Sequence, residues 1–313
     1  MRIGIDIMGG DFAPKTTVLG AIQAREELSD DVQLVLIGDE EKIKEILRSQ
    51  NVDSNKFEIV HTDECIGMGD HPAKAFAAKP NSSLAIGFKL LYQKKIDGFA
   101  SAGNTGAMLV GAMYTIKSIP GIIRPCISTE LPQFEGKPAL LLDVGINPDC
   151  RPDVLYQYGS IGSVYANSVY GVEKPKVALL NIGSEEQKGN LIVKSTYELM
   201  KDTKDFNFIG NVEANDLLGD CPADVIVCDG FTGNVVLKEA ESIYKILLMR
   251  GIKDEFFDKF NPEIYGGTPI LGVNSTVIIG HGASSPRAIT TMIHKTKDVI
   301  EAKVSEKLIE LYQ

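Results

Sequence analysis

The chain has 313 residues, with 32 Lys and Arg against 42 Asp and Glu, a net charge of −10. That acidity argues against a dedicated nucleic-acid binder, whose affinity rests on clustered cations; it leaves small anions open, because backbone N–H groups bind those without side-chain charge. A hydrophobic content of 44% and a charged content of 24% belong to a globular protein and exclude disorder, collagen and coiled coil as descriptions of the whole.

In chain order, the first apolar run, 3–7, is a strand pattern rather than a signal peptide. Further strands are predicted at 32–37, 57–60, 98–100, 126–131, 139–144, 177–182, 206–209, 225–228 and 276–279. Helical periodicity covers 16–28, 40–48, 82–94, 105–117, 154–170, 191–201, 234–250 and 286–311. Runs such as LVLI and ALLLDV are apolar without alternation, which predicts strands buried on both faces of a parallel sheet. The βαβα order then predicts a doubly wound α/β/α sandwich, largely parallel, with ligands at the carboxyl ends of the strands. We expect one continuous α/β unit over 1–313 with two lobes and a cleft between them, the irregular stretch 118–136 separating the lobes.

The five cysteines (Cys65, Cys126, Cys150, Cys221 and Cys228) are odd in number and form no C-x-x-C pair, so reduced thiols in a cytoplasmic protein are expected. The histidines show no zinc spacing, and no metal is expected. No apolar run approaches the roughly 20 residues of a membrane span.

The chemistry should lie at a recurring junction: a strand ending in a small polar or acidic residue, then glycine, then a helix. It occurs after Asp6 (Met8-Gly9-Gly10-Asp11), at Ser101-Ala102-Gly103-Asn104-Thr105-Gly106, at Asp143-Val144-Gly145-Ile146-Asn147, at Asn181-Ile182-Gly183 and at Asp229-Gly230-Phe231-Thr232-Gly233-Asn234. Glycine permits close backbone approach, and a helix start presents unpaired N–H groups to an anion. One such turn is ordinary turn chemistry; five on one sheet edge predict an anion site. Ser101, Gly103, Asn104, Thr105 and Gly106 are the phosphate-binding candidates, although Asn104 or Thr105 can also simply cap the helix. Gly9, Gly10, Asp11, Asn147, Asn181, Gly183, Asp229, Gly233 and Asn234 are expected to line the cleft. Lys188 can face a phosphate or an acidic partner, and His281, at a strand end, can donate a proton; a solvated lysine and a capping histidine are the competing readings. The acidic residues at the junctions, Asp6, Asp11, Asp143 and Asp229, would repel a phosphate they faced directly, so they are expected to orient loops by accepting backbone N–H bonds or to hold a lysine in place. No Walker A or G-x-G-x-x-G motif follows a strand, against a P-loop or ordinary dinucleotide fold.

The stretches IDIMGGDFAP, SAGNTGAML, PGIIRP, LLLDVGINPDCRP, LLNIGSEEQKGN, FIGNVEANDLL, VCDGFTGNVVLK, YGG and HGASS together resemble the PlsX-type phosphate acyltransferases of bacterial phospholipid synthesis. The resemblance implies transfer of a fatty acyl group from acyl carrier protein to inorganic phosphate, giving acyl phosphate. It implies an isocitrate-dehydrogenase-like fold, a homodimer and no cofactor. Such chemistry needs no covalent nucleophile, since phosphate is itself an anionic nucleophile to be positioned against a thioester. The alternatives are a phosphotransacylase using acyl-CoA and a non-catalytic scaffold that binds a membrane or partner. Departures from the family pattern are Ile7 in the opening motif, few cations after Asp70 and Pro72, Asn215, and a short 239–265 segment, the region tied in the family to dimer contacts and membrane docking. For that segment we expect dimer contact ahead of peripheral docking on the inner face of the cell membrane, with Phe256 and Phe257 among the contact residues.

Overall fold

The computed structural model describes the backbone of residues 1–313 and every side chain except those of Pro262 and Glu263. Packing divides the chain into two compact units. The first comprises Met1–Ser118 and Pro262–Glu301, the second Ile119–Asn261 and Ala302–Gln313.

The strands, in chain order, are β1 (Arg2–Asp6), β2 (Gln33–Gly38), β3 (Glu58–His61) and β4 (Gly98–Ser101) in the first unit. β5 (Cys126–Leu131), β6 (Ala139–Leu142), β7 (Lys176–Asn181), β8 (Asn207–Glu213) and β9 (Val225–Val227) form the second. β10 (Thr268–Leu271) and β11 (Thr276–Ile279) return to the first. The first unit has the order β3-β2-β1-β4-β11-β10, parallel except for β10. The second has β5-β6-β9-β7-β8, parallel except for β5. Both are largely parallel α/β layers, as the unbroken apolar runs predict: β4 and β6 are buried at every position. Helices cover these strands at close range where glycine leaves room. Gly20 lets helix Lys15–Glu27 meet Ile289 of helix Pro286–Glu301, and Gly87 lets helix Ser83–Tyr92 sit on Phe99. In the second unit, Gly159 and Gly162 bring helix Pro152–Tyr170 onto Phe206 and Val225.

Several elements differ from the sequence expectation. The predicted helix 286–311 is two helices, Pro286–Glu301 and Val304–Tyr312, separated at Lys303, which adopts a left-handed conformation with φ 53°. Helix Thr105–Gly111 passes into a π-helical turn at Ala112–Ile116. The predicted helix at 234 begins four residues earlier, at Gly230, because Asp229 caps it. Strand β10 and the short helix Pro72–Ala78 were not expected.

Candidate functional site

The first unit gathers two of the five glycine junctions, at the carboxyl ends of β1 and β4, and the His281–Gly282 turn after β11. Asp6, the last residue of β1, is buried and accepts the Ser101 hydroxyl at 2.6 Å and the Met8 N–H at 3.0 Å. Ser101 Oγ in turn accepts the Gly103 N–H at 2.9 Å. Burial pushes the Asp6 carboxyl above its ordinary value, and hydrogen bonds from Ser101, Ser83 and the Met8 and Gly9 N–H groups hold it back in part. Only glycine fits at position 9: a Cβ there would run into Asp6 Oδ2 and lie 2.7 Å from Ser101 Oγ. Gly10, at φ 119°, turns the chain so that Asp11 N–H reaches the Gly282 carbonyl at 2.8 Å.

Asn104 caps the helix as the sequence allows: its Oδ1 accepts from Ala107 N–H at 3.0 Å. Its Nδ2 donates to the carbonyls of Gly67, Met68 and Asp70 at 3.0–3.2 Å. The Asn104 amide is therefore occupied with the helix and the 67–70 loop. Ser101 is likewise committed, since it gives its proton to Asp6. What the turn offers an anion is Thr105, whose side chain is exposed, and the N–H groups of Thr105 and Gly106, which as the first two helical residues have no partner within the helix. Lys79, one of two cations in the segment after Asp70, is paired with Asp70 at 2.7 Å and with the Cys65 carbonyl at 2.9 Å.

His281 stands one residue beyond Gly280, whose N–H is bonded to the Ser101 carbonyl at 2.8 Å. The imidazole is exposed, and its Nδ1 accepts the Ala283 N–H at 3.2 Å. With Nδ1 as acceptor, the neutral ring carries its proton on Nε2. Ser101 to Gly106, Gly9 to Asp11 and His281 are thus brought together within one unit.

The second unit holds the other candidates in two clusters. Asp143 accepts N–H bonds from Ile127, Gly145, Ile146 and Asn147 and the Asn147 amide, at 2.7–3.3 Å. Asn147 also donates to the Pro125 carbonyl and the Tyr158 hydroxyl, both at 2.8 Å. Asp229 caps helix Gly230–Met249 by accepting Thr232 N–H at 2.9 Å and the Thr232 hydroxyl at 2.8 Å. Gly233 has no room for a side chain, which would collide with the Asp143 carbonyl; Asn234 is exposed. Burial raises the thiols of Cys126 and Cys228 well above the ordinary range and pushes Cys150 up to about 11, the Asp143 charge adding to each, so these thiols are not nucleophiles. The second cluster is the turn after β7. Asn181 holds it by donating to the Lys188 carbonyl at 3.2 Å, and Gly183 packs against Lys188. The Lys188 ammonium is half exposed and lies 4.0 Å from Glu185, a loose pair.

Sequence reasoning missed Ser83 and Asn211. Ser83 reaches Asp6 from a helix start. Asn211 donates to the Glu185 carbonyl at 3.0 Å, while its Oδ1 is buried without a partner. Neither stands in a glycine junction, the one signal followed. Two cavities, of 310 and 510 Å³, lie at the amino ends of strands, one at Arg25, Gln33 and Phe57 and the other at Gln133, Ala139 and Cys221; neither touches a candidate residue.

A family profile described as "Fatty acid synthesis protein" matches residues 1–307. The phosphate acyltransferase of Dictyoglomus turgidum is 43% identical, the match covering 99% of this chain and 97% of that protein. That of Salinibacter ruber is 40% identical over 100% and 98% of the two chains. Among solved structures, a phosphotransacetylase from Streptococcus pyogenes aligns with a TM-score of 0.66 at 17% identity, covering 98% of this chain and 94% of that one. At that identity the likeness bears on the α/β fold.

Proposed function

The chain belongs to the fatty acid synthesis protein family and is an acyltransferase; from that premise we propose that it transfers a long-chain fatty acyl group from acyl carrier protein to inorganic phosphate, giving acyl phosphate for phospholipid synthesis. The observation that carries the reading is the turn at Thr105 and Gly106: free N–H groups and a hydroxyl, framed by glycine turns and held from below by a buried carboxylate. Phosphate seated there presents an oxygen to the thioester carbonyl. The C–O bond forms, the C–S bond breaks, and the thiolate leaves with a proton. That proton is the one hydrogenphosphate gives up as its oxygen is acylated, and the exposed Nε2–H of His281, on the same unit, is suited to donate a hydrogen bond to the departing sulfur. Lys188, loosely paired, is suited to meet a phosphate or an acidic carrier protein. Asp6, Asp143 and Asp229 are spent on backbone and hydroxyl donors, which agrees with their role as holders of loops rather than ligands of an anion.

The chain is further proposed to act as a cytoplasmic homodimer, with peripheral membrane contact as the competing use of the same surface. Phe256 is not free for either use: its ring lies 4.5 Å from that of Phe134 and 5.4 Å from that of Phe260, and Phe257 joins the same cluster with Ala240 and Tyr244. The exposed apolar residues nearby are Ile243, Ile246, Leu248 and Met249, the last 87% exposed. The expected contact therefore moves from the phenylalanines to the end of helix Gly230–Met249. Among the described residues no helix is long and apolar enough to cross a membrane.

Supplying purified protein with palmitoyl thioesters of acyl carrier protein and of CoA, with and without phosphate, tests the reading. Acyl phosphate, trapped with hydroxylamine, should form from the carrier-protein thioester and depend on phosphate. Formation only from the CoA thioester assigns a phosphotransacylase, and formation from neither assigns a scaffold.

A further inference from the structure

We propose that Asp6 is a positioning residue for the transfer: acting through Ser101, it binds the Gly9–Gly10 turn to the 101–106 turn and so fixes where the Thr105 and Gly106 N–H groups point. The inference rests on the reading that those groups hold phosphate.

Asp6 is 1% exposed, and every donor recorded on it is neutral. A buried carboxylate without a counter-charge is costly, and a core position could be filled by an apolar side chain at lower cost. What an apolar or amide side chain could not do is accept on two oxygens at once. Asp6 Oδ1 takes the Met8 N–H at 3.0 Å and Oδ2 takes the Ser101 hydroxyl at 2.6 Å. The donors come from two separate segments, the turn after β1 and the end of β4. Asparagine has one acceptor oxygen, and its amide protons would face donors.

The direction of the relay follows from the proton count. Ser101 has one hydroxyl proton, and it goes to Asp6 at 2.6 Å. Ser101 Oγ can then only accept, and it takes the Gly103 N–H at 2.9 Å. The Gly103 amide is thereby turned inward. The turn is also pressed from the other side, since a Cβ on Gly103 would lie 3.2 Å from Gly9 Cα. With Gly103 fixed and Asn104 bonded to the 67–70 loop, the two N–H groups that follow have one orientation.

The test is steady-state kinetics of Asp6→Asn, Ser101→Ala and the double variant, with phosphate and acyl thioester varied separately and folding checked by thermal melting. Each single variant should raise the phosphate KM about tenfold or more, with the acyl-donor KM within about twofold of the parent. The double variant should lose no more than the worse single variant, because both cut one relay. If Asp6→Asn fails to fold, Ser101→Ala, which removes one oxygen, carries the same comparison. Losses that multiply in the double variant, or a fall in kcat with both KM values unchanged, would overturn the proposal. Thr105→Ala separates the two levels of the argument. A raised phosphate KM in Thr105→Ala but not in the relay variants removes the role of Asp6 and leaves the phosphate site in place. An unchanged phosphate KM in all three removes the site itself.

Discussion

The two units solve one problem, a buried carboxylate beneath a glycine turn, in different ways. In the second unit Asp143 is served mainly by its own loop, by donors two, three and four residues ahead. In the first unit Asp6 is served by Ser101, 95 residues away. The local version is a closed structural cap: every donor around Asp143 is internal, and the Thr232 hydroxyl at the neighbouring helix start is spent on Asp229. The long-range version ties two turns together yet leaves Thr105 exposed at the start of its helix. The difference teaches that a glycine junction is a candidate ligand site only where its donors are not already taken, and by that measure the first unit carries the stronger candidate for an anion site.

Substitutions in the second unit should therefore affect stability first. Asp143→Ala would strand buried N–H groups of Ile127 and Asn147, each costing about 1–3 kcal/mol. A loss of about 3 kcal/mol or more in urea unfolding is expected, and a loss below about 1 kcal/mol would mean water or rearrangement satisfies the loop. Phe256→Ala should come next, at about 2 kcal/mol, because it opens the cluster with Phe134 and Phe260. Its mass by light scattering should match the parent, while Ile246→Glu with Met249→Glu should reduce it. The opposite pattern would return the dimer contact to the phenylalanines.

The smallest effect is a pH dependence of opposite sign at two carboxylates. Burial raises Asp143 above its ordinary 3.8. Its linked contribution is fully present below that unfolded value and is lost as pH rises through the folded one. The advantage of the parent over Asp143→Asn should therefore shrink on going from acid toward neutral pH. Asp70 is held below 3.8 by the Lys79 hydrogen bond and the Gly67 N–H. Its contribution exists above the ordinary value and disappears as pH falls, so the advantage over Asp70→Asn should grow with pH. Parallel slopes for the two variants in unfolding titrations would contradict the assignment.

The parts that were legible in the sequence are those with local causes. Unbroken apolar runs identified β2, β6 and their parallel setting. The DVGIN turn could be read as a holder of loops because Asp143 bonds within four residues of itself. The D-x-x-T cap at Asp229 was also present, but the glycines after it concealed that the helix had begun. Strand β10 was hidden by Pro269, which demotes a strand pattern. The break after Glu301 had no signal, since Lys303 takes a left-handed conformation usually given to glycine. Helix Pro72–Ala78 carried one, a proline at its first position, that was not used. In the candidate site, SAGNTG stood out in the sequence as a candidate anion-binding turn, but its division of labour did not. Only the fold shows that Ser101 serves Asp6 and that Asn104 serves the 67–70 loop, leaving Thr105 and Gly106.

The most direct test of that assignment is calorimetric titration of inorganic phosphate into the parent, Thr105→Ala and Thr232→Ala proteins. The two threonines occupy comparable helix starts in the two units, one exposed and one bonded to a carboxylate. Thr105→Ala should weaken phosphate about tenfold, the effect of one hydrogen bond to a charged group, while Thr232→Ala should bind as the parent does. Weakened binding in Thr232→Ala with parental binding in Thr105→Ala would place the anion in the second unit and contradict the account.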